Sequence, residues 1–575
     1  MSYKEGDKES YTTYTYDALG RIIKESTSVG SLISYTYGNR TITINDNGRT
    51  ITKTFDAQGN LKRVVDPVAT VSHTYASNGQ VSTYSSAGAT YSMTYDSYGR
   101  RISLTDPNAG KTTYEYDALS RIVQQTDSRG TVSTWLYDAG GRVTQEMCGT
   151  IKTSFTYGTA RATYNKVLSV VRADGVESYQ YDSYNRITKK TKTISDKSFV
   201  TTYAYNSKNQ LVTEKKPNGD VITYSYDING YQTSIYLNGE VVWNLMSNTG
   251  KERKFGLYSN LTGVTNWSQT NNTLESKKIY KSSVSLKSEK WSFDPTTGNL
   301  TCRILDPTGG GFTEYFTYDK MDRLTENYTV INATNSTVSD NSITYDKNGN
   351  ILKKKDVGTY SYSVTRPHAV SGVTINNNMA RTLGKQKLTY NAYNHVSTVT
   401  ESNIDRSFLN LENTYSNATY DASLSFVYGI DNQRAKSLYS IKDRSTGKTV
   451  REEMRYYDDG YEEVVKQSYN HKTGALLSSV TNKITYINSP DGLVLVKIDG
   501  NKYNVFTDYL GSIETLIDKN GTIVFSANYD AWGNQTIKKK ATGLESFRRG
   551  YTGHEHLSEF GWIYMNGRMY GPVLG

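Results

Sequence analysis

The chain has 575 residues and a formal net charge of +10, and it carries 50 Tyr beside 13 Phe, with 46 Gly and only 8 Pro. Cys148 and Cys302 cannot build a disulfide framework or a zinc site of the usual spacing, and no apolar run is long enough to span a membrane. The positive charge is thinly spread in short runs (Lys189-Lys190-Thr191-Lys192, Lys353-Lys354-Lys355, Lys538-Lys539-Lys540), which read as solvated strand faces or protected edges and not as a nucleic-acid patch.

Residues 1–10 form a polar N-terminal tail of mixed charge, unlike a secretory signal. Either export uses another route or the chain begins inside a longer protein. From 11 to 235 one unit recurs, as in Tyr16-Asp17-Ala18-Leu19-Gly20-Arg21-Ile22 and Tyr116-Asp117-Ala118-Leu119-Ser120-Arg121-Ile122. The starting tyrosines at 75, 95, 116 and 137 stand about 20 residues apart, a period that means a repeat architecture. Residues before each unit alternate, as in Thr113-Tyr114-Glu115-Tyr116, which is strand periodicity. Asp opens a tight turn, where its carboxylate can accept from the backbone two residues on. Gly20, Gly99 or Gly141 stands four residues after the aromatic, replaced by Asn185, Asn209, Asp322 or Asn394 elsewhere. These types tolerate positive φ, so a type I turn closed by a left-handed residue is expected, with Ser120 the poorest fit. Aromatic pairs between neighbouring strands are expected to add about 0.2–1 kcal/mol each.

Residues 236–310 lose the period but keep strand-like pieces, and membership of the sheet stays open there. Diverged copies follow over 311–500, thinning through the polar stretch 400–420. Over 501–575 the pattern changes: Asn504 to Ile513, a hairpin signal at Asn520-Gly521, then Tyr529-Asp530-Ala531-Trp532-Gly533, Tyr551-Thr552-Gly553-His554-Glu555-His556 and Tyr564-Met565-Asn566-Gly567-Arg568-Met569-Tyr570.

The repeat resembles the YD repeat of the Rhs (rearrangement hotspot) proteins, and residues 501–575 resemble the Rhs-associated core domain in its Bacteroides-like form, here truncated. The resemblance implies an all-β fold: a long antiparallel sheet of YD-repeat hairpins spiralling into a hollow shell or cocoon. In that family the shell encloses a C-terminal toxin and presents it for delivery to competitor or host cells, and the core domain continues to a self-cleavage aspartate and the toxin. This chain stops at Gly571-Pro572-Val573-Leu574-Gly575, with Gly571 where the family usually has Asp. The expectation is therefore an incomplete shell, secreted or at the cell surface by a route this chain does not encode. Its partners would be a toxin cargo absent from the chain and a secretion-apparatus or other shell component. The alternative is a surface adhesion module whose tyrosines bind glycans or proteins.

Candidate chemistry is sparse. His554-Glu555-His556 would put two imidazoles on one face of a strand, with Glu559 as the available third ligand, but ordinary packing explains it as well. The repeated Asp residues are explained by turns before calcium is needed. Asp458-Asp459 and Glu462-Glu463 alternate onto opposite faces, so they make no acid/base pair. Thr308-Gly309-Gly310-Gly311 reads as a flexible turn and not a phosphate loop. No enzyme is expected, with catalytic, cofactor-binding and metal residues all none.

Overall fold

The computed structural model describes residues 2–5, 8–195, 197–269, 271–306, 311–376, 386–404 and 419–575, with side chains from residue 11 onward. Thr308, Gly309 and Gly310 of the glycine turn, and residues 405–418 of the polar stretch, lie outside the described residues. The described chain is strands and turns, with short 3₁₀ turns such as Tyr551–Gly553 and no α-helix. A first sheet of 35 strands runs from β1 (Ser2–Glu5) to β35 (Val370–Ile375), and a second of 12 from β36 (Gln386–Tyr390) to β47 (Gln535–Lys540). A third sheet holds β48 (Glu555–Leu557), β49 (Trp562–Tyr564) and β50 (Met569–Tyr570). Within each sheet every strand pairs antiparallel with its sequence neighbour, so the topology is a meander. Residues of the 236–310 stretch continue that meander, from β24 (Glu240–Asn248) to β29 (Leu300–Leu305), and the N-terminal stretch pairs into it through β1.

One hairpin shows why the sequence folds this way. β12 (Gly110–Tyr116) and β13 (Ile122–Thr126) pair with a register slip between Glu115 and Tyr116. The Ser120 N–H donates to Asp117 O (3.0 Å), and the Asp117 N–H donates to Arg121 O (3.0 Å). The closing residue is left-handed even as Ser120 (φ +63°), and likewise as Gly99 (+77°), Asn185 (+64°) and Asp322 (+59°). A type I turn plus a left-handed bulge residue adds right-handed twist at each hairpin, and twist summed over many strands curls a sheet.

The curl returns the sheet upon itself. Arg49 on β6 (Arg49–Phe55) reaches Asp322 just before β31 (Leu324–Ile331), about 24 strands later. Further on, Lys287 on β28 (Val284–Phe293) reaches Glu514 on β45 (Ile513–Ile517), about 17 strands later. At about 4.8 Å between strands, these turns correspond to a spiral roughly 35 Å across that narrows to about 25 Å. The sheet does not close: among the described residues β1 pairs only with β2 (Lys8–Tyr16), and β47 only with β46 (Ile523–Tyr529).

The first turn is a single layer. The accessible surface is 29382 Å², whereas a compact protein of this mass exposes roughly 20,000 Å². The excess fits a wall wetted on both faces. Few side chains before residue 150 are buried, whereas the core lies where successive turns overlap. There Ile235, Leu237, Trp243 and Leu257 of the first sheet pack against Ile487, Leu495, Phe506 and Ile517 of the second. The C-terminal segment 541–575 adds Leu544 and Phe547 to one cluster of the second sheet, and Leu557, Phe560 and Tyr564 to another.

Candidate functional site: the shell wall and its C-terminal plug

The wall is held by a ladder that runs from repeat to repeat. In the turn, Asp117 Oδ1 accepts from the N–H groups of Leu119 and Arg121 (both 2.9 Å), while Oδ2 accepts from Arg121 Nε (2.6 Å). The same guanidinium lies over the Tyr137 ring of the next repeat, 4.5 Å from its centroid. Tyr137 Oη in turn donates to Ile122 O (2.7 Å), the carbonyl that opens the returning strand. Arg21 over Tyr37, Arg100 over Tyr116 and Arg142 over Tyr157 repeat the stacking, and Tyr75, Tyr95 and Tyr181 repeat the carbonyl bond. This explains Tyr in place of Phe: the hydroxyl satisfies a carbonyl beside a bulge, where the regular pairing is interrupted.

The expected cross-strand aromatic pairing is largely replaced by this ladder. Repeat tyrosines are two strands apart, about 10 Å, so an arginine fills the gap; direct stacking occurs at Tyr84–Tyr91 (4.3 Å) and Tyr315–Tyr328 (4.9 Å). Where Arg is missing, Asn60, Asn350 or Asn534 donates to the second Asp oxygen instead. An Arg or Asn four residues after many of the turn Asp residues stands in the sequence, but its reach to the next repeat does not.

The turn aspartates carry a pH signature. The Arg121 N–H, opposed by burial and joined by the Arg121 guanidinium, holds the Asp117 carboxyl below its ordinary value of 3.8. The side-chain bonds to Arg142 and Arg186 are the largest influences on Asp138 and Asp182, which are also lowered. A depressed carboxylate contributes stability above its unfolded pKa and loses it as pH falls through the folded one. Acid titration followed by circular dichroism should show wall unfolding setting in below about pH 4. Asp117→Asn should be less stable than wild type at neutral pH and converge with it in acid; a constant difference across pH refutes the ionic role.

The seam between turns recruits Lys190, Lys192 and Lys354, while Lys353, Lys355 and Lys538 to Lys540 are solvated as the runs suggest. Lys190 reaches Asp459 (2.9 Å) and Glu177 (3.5 Å), and buried Lys192 faces Glu177 (3.8 Å). Lys354 is fully buried: its Nζ donates to Val573 O (2.9 Å) and sits over the Trp532 ring (4.8 Å). Lys540 donates to Phe547 O (3.0 Å) and, like Lys538 and Lys539, is exposed. Thus Gly571–Gly575 is tied to the first sheet, with Tyr360 Oη also donating to Leu574 O (2.7 Å). A Cβ at Gly571 would lie 3.4 Å from the Trp562 ring, which is ordinary contact.

The C-terminal segment 541–575 docks on the second sheet through buried charge. Arg434, Glu453, Arg455 and Glu462 come from the second sheet, and Arg548, Arg549, Glu555 and Glu559 from the segment that packs on it. Arg455 contacts Glu462 (2.6 Å), Glu453 (3.1 Å) and Glu555 (3.4 Å), and donates to Ser546 O (2.7 Å). Arg434 pairs with Glu555 (2.6 Å), Arg548 with Glu559 (2.8 Å) and Arg549 with Glu462 (2.6 Å). Burial opposes ionisation of Glu555, yet Arg434 and Arg455 hold its carboxyl at about 2.

His554-Glu555-His556 therefore has an arrangement that the sequence did not foretell. Glu555 is engaged by arginines and by Tyr457 Oη (2.8 Å). His556 Nε2 accepts from the Tyr551 N–H (2.9 Å), and His554 Nδ1 pairs with Thr552 Oγ1 (2.7 Å). Burial pushes the His556 imidazole down to about 4, so it is neutral and fit to accept. Glu559 is turned to Arg548. Glu462 and Glu463 do part, Glu462 toward Arg455 and Glu463 toward Lys197. Cys148 and Cys302 are both free thiols.

Residues 2–134 match the family described as Teneurin YD-shell. The chain is 26% identical over 241 residues to the tRNA3(Ser)-specific nuclease WapA of Bacillus spizizenii and to the tRNA nuclease WapA of Bacillus subtilis, covering 41% of this chain and 8% of each relative. Among solved structures, the TcdB2-TccC3-Cdc42 structure superposes with a TM-score of 0.81 at 13% identity, covering 98% of this chain and 32% of that one. TcdB2-TccC3 without its hypervariable C-terminal region gives 0.79 at 14% identity, and the Tc holotoxin pore of Photorhabdus luminescens gives 0.76 at 14%, with the same coverages. The chain thus spans about a third of those solved chains. The recurring Tyr-Asp turn and the match over 2–134 liken the repeats to a YD-shell, and nearly the whole chain shares the fold of those solved chains.

Proposed function

We propose that the chain is wall and end-plug of a toxin-delivery shell, acting by enclosure and presentation and without catalysis of its own. The observation that carries this is the single-layered spiral, whose accessible surface far exceeds that of a compact protein of equal mass. A wall rich in Thr, Ser and Tyr on both faces is wet enough to surround an unfolded chain without adhering to it. The nuclease and toxin names of the relatives support a cargo role for whatever such a shell holds, delivered outside the producing cell. The test is limited proteolysis with mass spectrometry on this chain extended past Gly575 by the coding sequence that follows it. Protection of the extension, or one clip with the fragment retained, is the expected result. Free digestion of the extension while residues 11–575 survive would refute enclosure and favour an outward-facing adhesion module.

The shell partner has a surface to bind. The residue two after the turn Asp is apolar in many repeats, and in the later turns the neighbouring turn covers it: Tyr393 lies under Arg172 (5.0 Å) and Trp532 under Lys354. In the first turn the same position stays bare, with Leu19 77%, Tyr98 83%, Leu119 73% and Tyr184 73% exposed. This rim fits another YD-repeat wall, joined as the chain joins itself. Leu19→Ser with Leu119→Ser should leave the melting temperature unchanged and abolish co-purification with a YD-repeat chain encoded nearby. Unchanged co-purification would refute the rim as the joint.

A further inference from the structure

Where β28 meets β45 the seam buries more carboxylates than it can neutralise. Glu289 on β28, Glu514 on β45 and Asp508 in the turn before β45 are each 1% exposed. No oxygen of Glu289 or Glu514 accepts a hydrogen bond, and neither does Asp508 Oδ2. Asp508 shows how unusual this is. Its Oδ1 accepts from the Leu510 and Ser512 N–H groups like any repeat aspartate, but Ser512 stands where Arg121 stands after Asp117, so the second oxygen has no donor.

The surrounding cations are already committed. Arg303 on β29 pairs with Glu314 (2.6 Å) and also donates to Tyr529 O. Arg253 takes Asp491 (3.2 Å), which also accepts from Trp243 Nε1 (2.8 Å). Lys277 on β27 (Leu274–Lys281) donates to Thr507 Oγ1 (3.3 Å) and Asp508 O (3.3 Å). Lys287 is shared among Asp306 (3.0 Å), Glu514 (3.3 Å) and Glu289 (3.7 Å). Three buried carboxylates thus face two ammonium groups. Two carboxylates side by side in a low-dielectric seam repel strongly, and one proton turns that repulsion into a hydrogen bond.

We propose that Glu289 and Glu514 share one proton across the seam, making a latch between successive turns of the spiral that alkali opens. The latch stands whether or not the shell holds a cargo. Burial, reinforced by Glu514, raises the Glu289 carboxyl well above its ordinary value of 4.5, and burial with Glu514 pushes Asp508 up to about 6. The sign follows from linkage: a raised acid leaves the folded state holding more protons than the unfolded one. The stabilisation that this pair contributes is fully present below the ordinary carboxylate pKa and is lost as pH rises, until the pair is fully ionised.

The test compares wild type with Glu289→Gln and Glu514→Gln, each of which mimics a protonated partner in shape. In infrared spectra taken above the Asp508 value of about 6, the wild type should show the carbonyl stretch of a buried protonated carboxyl, lost in alkali, missing from Glu289→Gln and shifted in Glu514→Gln, where an amide replaces the carboxylate that shares the proton. After the intrinsic base-catalysed rate is divided out, hydrogen exchange of the β45 amides in wild type should still quicken by up to about tenfold per pH unit as the proton leaves, and the corrected exchange in the variants should stay level. Should one variant fail to fold, the other and the wild-type spectrum decide. Absence of the band from wild type, or equal pH dependence of β45 exchange in all three proteins, overturns the latch.

Discussion

Arg455→Ala is expected to destabilise the C-terminal half by about 3–5 kcal/mol, because it removes one partner from a buried ionic network and leaves the others uncompensated. Arg455 binds three carboxylates and one carbonyl, joining Glu453 and Glu462 of the sheet to Glu555 and Ser546 of the C-terminal segment. Since whole domains are stable by about 5–15 kcal/mol, such a loss should release residues 541–575 to protease before the wall melts. Arg455→Lys should behave nearly as badly, because a point charge cannot reach the carboxylates that a planar guanidinium bridges. Arg21→Ala is the control: that side chain is half exposed beside Asp17, and exposed pairs are worth about 0–1 kcal/mol. The depressed Glu555 adds a pH dependence, since the plug should stay docked well into acid and come loose as pH falls below the ordinary carboxylate value toward about 2. Time-resolved proteolysis read by mass spectrometry checks both. Equal cleavage of wild type and Arg455→Ala in the 541–561 stretch would show that apolar packing of Leu544, Phe547 and Phe560 holds the plug alone.

What could be read from the sequence was local. Strand alternation, the Asp that opens each turn and the left-handed residue that closes it are fixed within seven residues, so even Ser120 could be placed where Gly usually stands. The resemblance of the repeat and of residues 501–575 to the Rhs proteins carried the curl of the sheet. The ladder was half legible: Arg121 stood in the motif, but its use of Tyr137 depends on strands pairing in order, which the motif alone does not state. The plug was illegible. Arg455 and Glu555 lie 100 residues apart, and only the return of the sheet upon itself joins them. His554 and His556 drew notice because imidazoles are rare in this chain, while the Glu555 between them was already claimed by arginines. Lys354 departs from its exposed neighbours for a related reason: nothing adjacent to it announces that the final residues of the chain will cover it.

Trp243→Ala should cost about 3–5 kcal/mol, the usual range for truncating a buried tryptophan. Its indole is fully buried between the first sheet and the second, and its Nε1 donates to Asp491 Oδ2 (2.8 Å) across a chain separation of 248 residues. Trp243→Phe keeps most of the volume but removes the donor, leaving Asp491 to Arg253 alone; a loss of about 1–3 kcal/mol is expected there. The location of the effect is as informative as its size. In a meander each strand leans on its neighbours, so damage spreads poorly along the sheet, and the single-layered repeats before residue 150 make few contacts with the seam. Hydrogen exchange should therefore quicken in β24, in β25 (Glu252–Leu257) and in β43 (Gly492–Ile498) to β45, while β12 and β13 exchange as in wild type. Uniform quickening from β2 to β47 would mean that the wall has no stability of its own and that the turns of the spiral fold only as one body. Confinement to the seam would mean that the spiral can open between its turns while each wall stays folded, which is the mechanical property a container needs in order to load and release.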